Sequence, residues 1–337
     1  MQRRAFIKAT CGALTYASFF APSVVFAKNE TNLLGFKPIA SSTKDEVIVP
    51  QGYVAKPLIS WGDALFSKAR AFDERKIIDK KAIENANLVF GDNTDGMSLF
   101  ELQNGNALLV VNNEYINPEI MFSHKGEKTT LDDVHYMQNS VGVSIFEISE
   151  DKDGFFKVVL DSPYNRRITA NTPMKVQGAA KGHKLMQTKA DKKGELVLGT
   201  INNCANGQTP WGTYLTCEEN VDDFFGTSDK NQVFSPSLKR YGFMKESLYK
   251  WELDPRFDLA KNPNEANRFG WVVEIDPFNA NSTPIKRTAL GRFKHENAEI
   301  LISKDGRVVV YMGDDEANEF LYKFVSKNKF NKTNKAA

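Results

Sequence analysis

Cysteine is scarce: the 337 residues hold three, Cys11, Cys204 and Cys217, too few for a disulfide framework. An excess of one charge is missing too. The 44 Lys and Arg stand against 42 Asp and Glu, a formal net charge of +2, so no nucleic-acid partner is expected. Beyond the first 27 residues no apolar run is long enough to cross a membrane, which argues against a stable membrane anchor in that part. Strands and helices show no βαβ rhythm, so a parallel α/β sheet is not expected. What remains is an ordinary globular balance, 41% hydrophobic and 26% charged with 24 Phe, enough for one large domain or two smaller ones.

The N-terminus, MQRRAFIKATCGALTYASFFAPSVVFAK, sets Arg3, Arg4 and Lys8 ahead of a moderately apolar run that closes near Ala27. Paired arginines followed by Phe6 match a twin-arginine signal, so residues 1–27 are expected to be removed on export to the periplasm through the twin-arginine translocase. No acidic residue falls in that segment, so the remaining chain carries 41 basic and 42 acidic residues, about −1 net. Cys11 leaves with the signal. Cys204 and Cys217 could form a disulfide in an oxidising compartment, or Cys204 could bind metal while Cys217 is buried.

Two short strands are expected at 47–50 and 53–59, and a helix within 64–88, although the apolar residues there form no clean stripe. The rest reads as strands at 107–112, 141–148, 155–160, 196–201, 211–217, 271–276, 307–312 and 320–325. Several obey one rule: a Gly precedes an apolar run that discharges into amides and carboxylates, as in GNALLVVNNEY, GTYLTCEEN, GWVVEID and GRVVVYMGDDE. Sheets related like the blades of a β-propeller would gather those polar ends on one face.

The candidate site follows from that rule. The stretch NNCANGQTPWGTYLTCEEN at 202–220 places Cys204, Glu218 and Glu219 within one turn, strand and turn. Thiolate suits iron, copper or zinc and carboxylate suits calcium or ferric iron, so the mixture points to a mixed metal cluster. Asn113, Glu114, Asn203 and Asp315 lie at comparable ends. Asp92, Asn93 and Asp95 have calcium-loop spacing, but the later positions of an EF-hand are missing. Arg166, Arg167 and His183 sit in the Gly/Pro/Asn-rich stretch 162–184, where arginine suits a phosphate or carboxylate ligand. His295 and Glu296 adjoin in LGRFKHENAEI.

WGD, FGDNTDGM, VVNNEY, DSPYNRRITANTPM, GTINNCANGQTPWGTYLTCEEN, FGWVVEIDP, LGRFKHENAE and YMGDDEANEFLYKFVS, in this order, resemble the bacterial alkaline phosphatase family PhoX from about Gly35 to Ser326. The resemblance implies an all-β, exported six-bladed β-propeller with small helical insertions that hydrolyses small-molecule phosphate monoesters. It also implies a cofactor of two ferric ions (Fe3+), three calcium ions (Ca2+) and a bridging oxo group. Cys204 matches the family's iron ligand. Glu219, Glu274, Asn113 and Asn203 fall at motif positions suited to the remaining ligands, and Glu114, Glu218, Glu296 and Asp315 complete the candidate set; the catalytic group would be the metal-bound oxo species rather than a serine. Family members are longer, so residues 28–337 are expected to supply only the N-terminal part of the propeller, with a separate C-terminal fragment as a partner for activity. Two other functions remain open: a calcium-dependent propeller hydrolase of the lactonase or phosphotriesterase type, and a non-catalytic metal-binding propeller.

Overall fold

The computed structural model describes residues 35–73 and 78–331. The proposed signal at 1–27 lies outside them. Residues up to Pro57 form a unit distinct from Leu58 onward. The expected strands at 47–50 and 53–59 are instead chain without strand pairing, broken by a turn in which Tyr53 N–H donates to Pro50 O at 3.0 Å. Proline at 50 and 57, lacking a donor, does not support a sheet ladder there.

The second unit is mainly β. Strands β1 (Thr94–Glu101), β2 (Ala107–Asn113), β3 (Gly142–Glu150) and β4 (Phe156–Val158) pair in that order, and β5 (Arg166–Ile168) pairs with the other half of β3. A second sheet runs β7 (Leu196–Leu198), β6 (Pro173–Gln177), β11 (Ile285–Arg287), β10 (Val272–Ile275), β9 (Tyr214–Glu218), β8 (Asn203–Gln208). The third is β12 (Glu299–Ile302), β13 (Arg307–Gly313), β14 (Leu321–Lys329). Every pairing is antiparallel except β6 with β11. The Gly/Pro/Asn-rich stretch 162–184 thus supplies β5 and β6.

The helices are short. Among the described residues, the window 64–88 yields only α1 (Lys80–Asn85), because its apolar residues lack the spacing that would give a longer helix a buried face. After α2 (Pro118–Met121) comes α3 (Leu131–Ser140), opened by a capping box in which Thr130 and Asp133 exchange side-chain and backbone hydrogen bonds. α4 (Pro236–Arg240) follows Ser235, whose hydroxyl caps it. An aromatic core of Phe224, Phe225, Trp251, Phe257 and Phe269 fills the segment between β9 and β10.

Edge strands β1 and β12 both lie against β8, so the three sheets meet at that strand. Two glycines permit the approach. A Cβ on Gly96 would sit 2.8 Å from the Ala205 backbone carbon, and one on Gly207 would overlap Ala298 O. Side chains then stitch the junction: Asn112 Nδ2 donates to Cys204 O and Ala205 O, and Tyr214 OH lies between two acceptors, Gly96 O and Asn112 Oδ1, to which it offers its one proton.

Candidate metal centre

The junction repeats one local arrangement three times. Asn93 and Asn202 hold left-handed φ of 44° and 45°, which asparagine tolerates better than most residues, and each precedes an edge strand with one extra residue in its ladder. Those bulges contain Asp95 and Cys204. A bulge re-aims the side chain that it carries, and here it turns an acid and a thiol towards each other, with Cys204 Sγ 3.8 Å from Asp95 Oδ2. Glu296 follows Lys294 by the same two-residue step and lies 3.5 Å from Cys204 Sγ. The return strands close the pattern. Glu114 N–H donates to Asn93 O at 2.8 Å, Glu219 N–H to Asn202 O at 3.0 Å, and Asp315 N–H to Lys294 O at 3.1 Å.

Each repeat therefore delivers two site residues: Asp95 with Glu114, Cys204 with Glu219, and Glu296 with Asp315. Ligand atoms of Asp95, Glu114 and Cys204 all lie within 4.8 Å of one another, as do those of Cys204, Glu219 and Glu296. Cys204 belongs to both groups and is buried.

Strand alternation explains which expected ligands are absent. Successive side chains point to opposite faces, so the residue before each site acid faces away. There it meets a cation: Asn113 Oδ1 accepts from Arg167, Glu218 pairs with Lys286 Nζ at 2.6 Å, and Asp314 lies 3.6 Å from Arg240. Asn113 and Glu218 thus engage these cations, and Glu218 is in neither group of converging ligand atoms. Asn203, the cross-strand partner of Glu218, turns Nδ2 to Thr200 and Thr216, on the face away from Cys204. Glu274 sits within β10 rather than at a strand end, where Trp211, Thr213 and Arg287 donate to its carboxylate at 2.6 to 2.7 Å.

The residues expected to bind phosphate also serve elsewhere. Arg166 holds the 279–282 turn through Asn279 O and Ser282. Arg167 is buried, donating to Ser144, Asn139 O and Val141 O as well as to Asn113, and burial without an acidic partner depresses its pKa to about 9. His183 caps a short turn by accepting from Leu185 N–H. His295 is fully buried beside Phe293 and touches Gly291 O; burial lowers its pKa to about 4, so it is neutral. Cys204 and Cys217 are both free thiols, and Cys217 is buried among Leu215, Val272 and Met312.

The electrostatics fit a cation. Burial, then hydrogen bonding to Asp95, and the charges of Asp95 and Glu296 raise the pKa of Glu114 to about 8. Glu219 is likewise raised to about 8 by burial, then by Asp315, Glu296 and Glu114. Burial and the surrounding carboxylates push the Cys204 thiol far up. So many mutually opposed anionic groups, with no lysine or arginine among them, need positive charge to ionise together. These shifts give a pH prediction for metal-free protein. Carboxyls with raised folded-state pKa bind more protons folded than unfolded, so stability should fall as pH rises from about 4.5 to about 8. Denaturant titrations across that window check it, and Glu219→Gln should flatten the slope; stability rising over the window would contradict it.

The alkaline phosphatase PhoX family model matches residues 34–337. Among solved structures, the chain is similar to Pseudomonas fluorescens PhoX in complex with vanadate, a transition state analogue, at 52% identity and a TM-score of 0.85. That match covers 88% of this chain and 51% of the other, so the chain spans about half the length of that relative. No curated protein matches. By the extent of the family match, this chain belongs to the PhoX alkaline phosphatase family.

Proposed function

We propose that this protein hydrolyses phosphate monoesters at a centre of iron and calcium held by Asp95, Glu114, Cys204, Glu219, Glu296 and Asp315. The observation that carries this is the convergence of one buried thiol and five carboxylates from three hairpins. Hard carboxylate oxygens suit calcium and ferric iron, and a thiolate adds a site that calcium alone does not need. When bound, such cations, with the oxo group that the family resemblance implies, bind phosphate oxygens and offset the charge of phosphoryl transfer.

The chain's own part is positional. Bulges and paired backbone hydrogen bonds fix the six side chains, while cations behind them, Arg167 and Lys286 buried and Arg240 exposed, hold the strand ends. The vanadate complex of the Pseudomonas fluorescens relative supports phosphoryl chemistry at this kind of site. The meeting of three sheets at their edge strands supports a propeller of which these sheets are blades. The test is chelator-sensitive phosphate release from p-nitrophenyl phosphate; release that survives complete removal of metal would overturn the proposal.

Export to the periplasm through the twin-arginine translocase rests on Arg3 and Arg4, and among the described residues no helix is long and apolar enough to cross a membrane. An Arg3→Lys/Arg4→Lys double variant should remain in the cytoplasm; undiminished periplasmic appearance would rule out this route.

A further inference from the structure

A second cavity lies at the other end of β9 from the metal centre. Glu219 follows the last residue of β9, whereas Trp211 and Leu215, before and within its first half, line a cleft of about 370 Å³ between the second and third sheets. Its volume falls within the range of about 300–1,000 Å³ usual for small-molecule sites. The walls are apolar: Leu215 and Leu290 on one side face Ile300, Val308 and Phe324 on the other. At the mouth, Trp211 stacks on Phe330 with ring centroids 5.3 Å apart.

The polar groups of the cleft carry an excess of positive charge. Arg287 is fixed by Glu274, which accepts from its Nε at 2.6 Å, and by Gln177, which accepts from its NH1 at 2.5 Å. Arg287 is thus a preorganised guanidinium at the edge of an apolar chamber, and a third nitrogen remains for a ligand. Lys327 and Lys329, on the exposed strand β14, join it at the rim, whereas Glu274 is the one acid lining the cleft. An apolar body with a cationic collar matches an amphipathic anion better than a neutral or cationic amphiphile.

We propose that this cleft binds a small amphipathic anion, with a carboxylate or similar head at Arg287 and an aliphatic body between the two sheets. The site shares no residue with the metal centre, so it stands or falls independently of the phosphatase proposal.

Isothermal titration calorimetry with decanoate, decanol and decyltrimethylammonium, each below its micelle concentration, tests it on the full chain. Decanoate should bind saturably at one site per chain and more tightly than either analogue. Lys327→Gln/Lys329→Gln changes only exposed side chains and should weaken decanoate several-fold. Arg287→Gln should weaken it about tenfold, the equivalent of roughly 1.4 kcal/mol. Val308→Phe, which fills the cleft, should abolish binding. No saturable decanoate binding, equal binding of the cationic amphiphile, or binding indifferent to both the lysine and arginine changes would overturn the proposal.

Discussion

Cys204→Ser should leave the protein without bound iron, while Cys217→Ala should retain it. Cys204 Sγ is the atom shared by both groups of converging ligands, lying 3.8 Å from Asp95 and 3.5 Å from Glu296. A serine hydroxyl is far harder to deprotonate than a thiol, and the surrounding carboxylates oppose any new negative charge that is not matched by metal. Changing a residue that merely orients a ligand costs about 10–100-fold in metal affinity, so losing a ligand should lower iron occupancy by more than tenfold. Cys217 is fully buried in the core between the second and third sheets and belongs to neither group of converging ligand atoms, so its removal leaves a small cavity and a modest loss of stability. Elemental analysis of both variants beside the parent protein makes the comparison. Equal iron in the two would displace Cys204 from its role. Calcium without iron in the parent would favour the calcium-dependent hydrolase, and neither metal would favour a non-catalytic role.

Lys286→Met should be among the most destabilising single changes in the chain, by about 3–5 kcal/mol, because it strands the Glu218 carboxylate without its cation. Both partners are completely buried and lie 2.6 Å apart. Burial lowers the Lys286 pKa to about 8, and the Glu218 charge keeps it from falling further. The Lys286 Nζ also lies 4.1 Å from the centre of the Phe269 ring, an additional partner for the ammonium. A Lys286→Met/Glu218→Leu double variant should recover much of the loss, since two apolar side chains in place of a buried ion pair are often neutral or better. Denaturant midpoints decide between the outcomes. A Lys286→Met protein as stable as the parent would show that Glu218 finds another partner and that this contact does not brace the strand end beside Glu219.

The site's chemistry was legible in the sequence to the extent that strand ends were. Glu114, Glu219 and Asp315 end runs of apolar residues that do form strands, and Cys204 and Glu296 stand out by residue type. Local sequence does not say which of Glu218 and Glu219 faces the centre, although strand alternation makes it a two-way choice: Glu219 turns in, Glu218 out. Glu274 obeyed the same apparent rule but lies within a strand, and the rule does not distinguish an end from a middle. Asp95 stands out in the sequence only against an EF-hand template, which it fails. Its signal was the step from Asn93, the same step that separates Asn202 from Cys204. Arg167 and His183 suit anion binding by type, yet burial and capping are fixed by tertiary contacts that no local pattern records. Helix α3 has little signal in the sequence because LDDVHYMQNS is weakly apolar; Thr130 and Asp133 are its marker.

The most direct test of the account is phosphate release from p-nitrophenyl phosphate at alkaline pH by protein loaded with ferric iron and calcium, measured before and after exhaustive chelation. The account predicts turnover that disappears with the metals, returns when both are restored, and is absent throughout in Cys204→Ser. Equal turnover by the metal-free protein or by Cys204→Ser would contradict it.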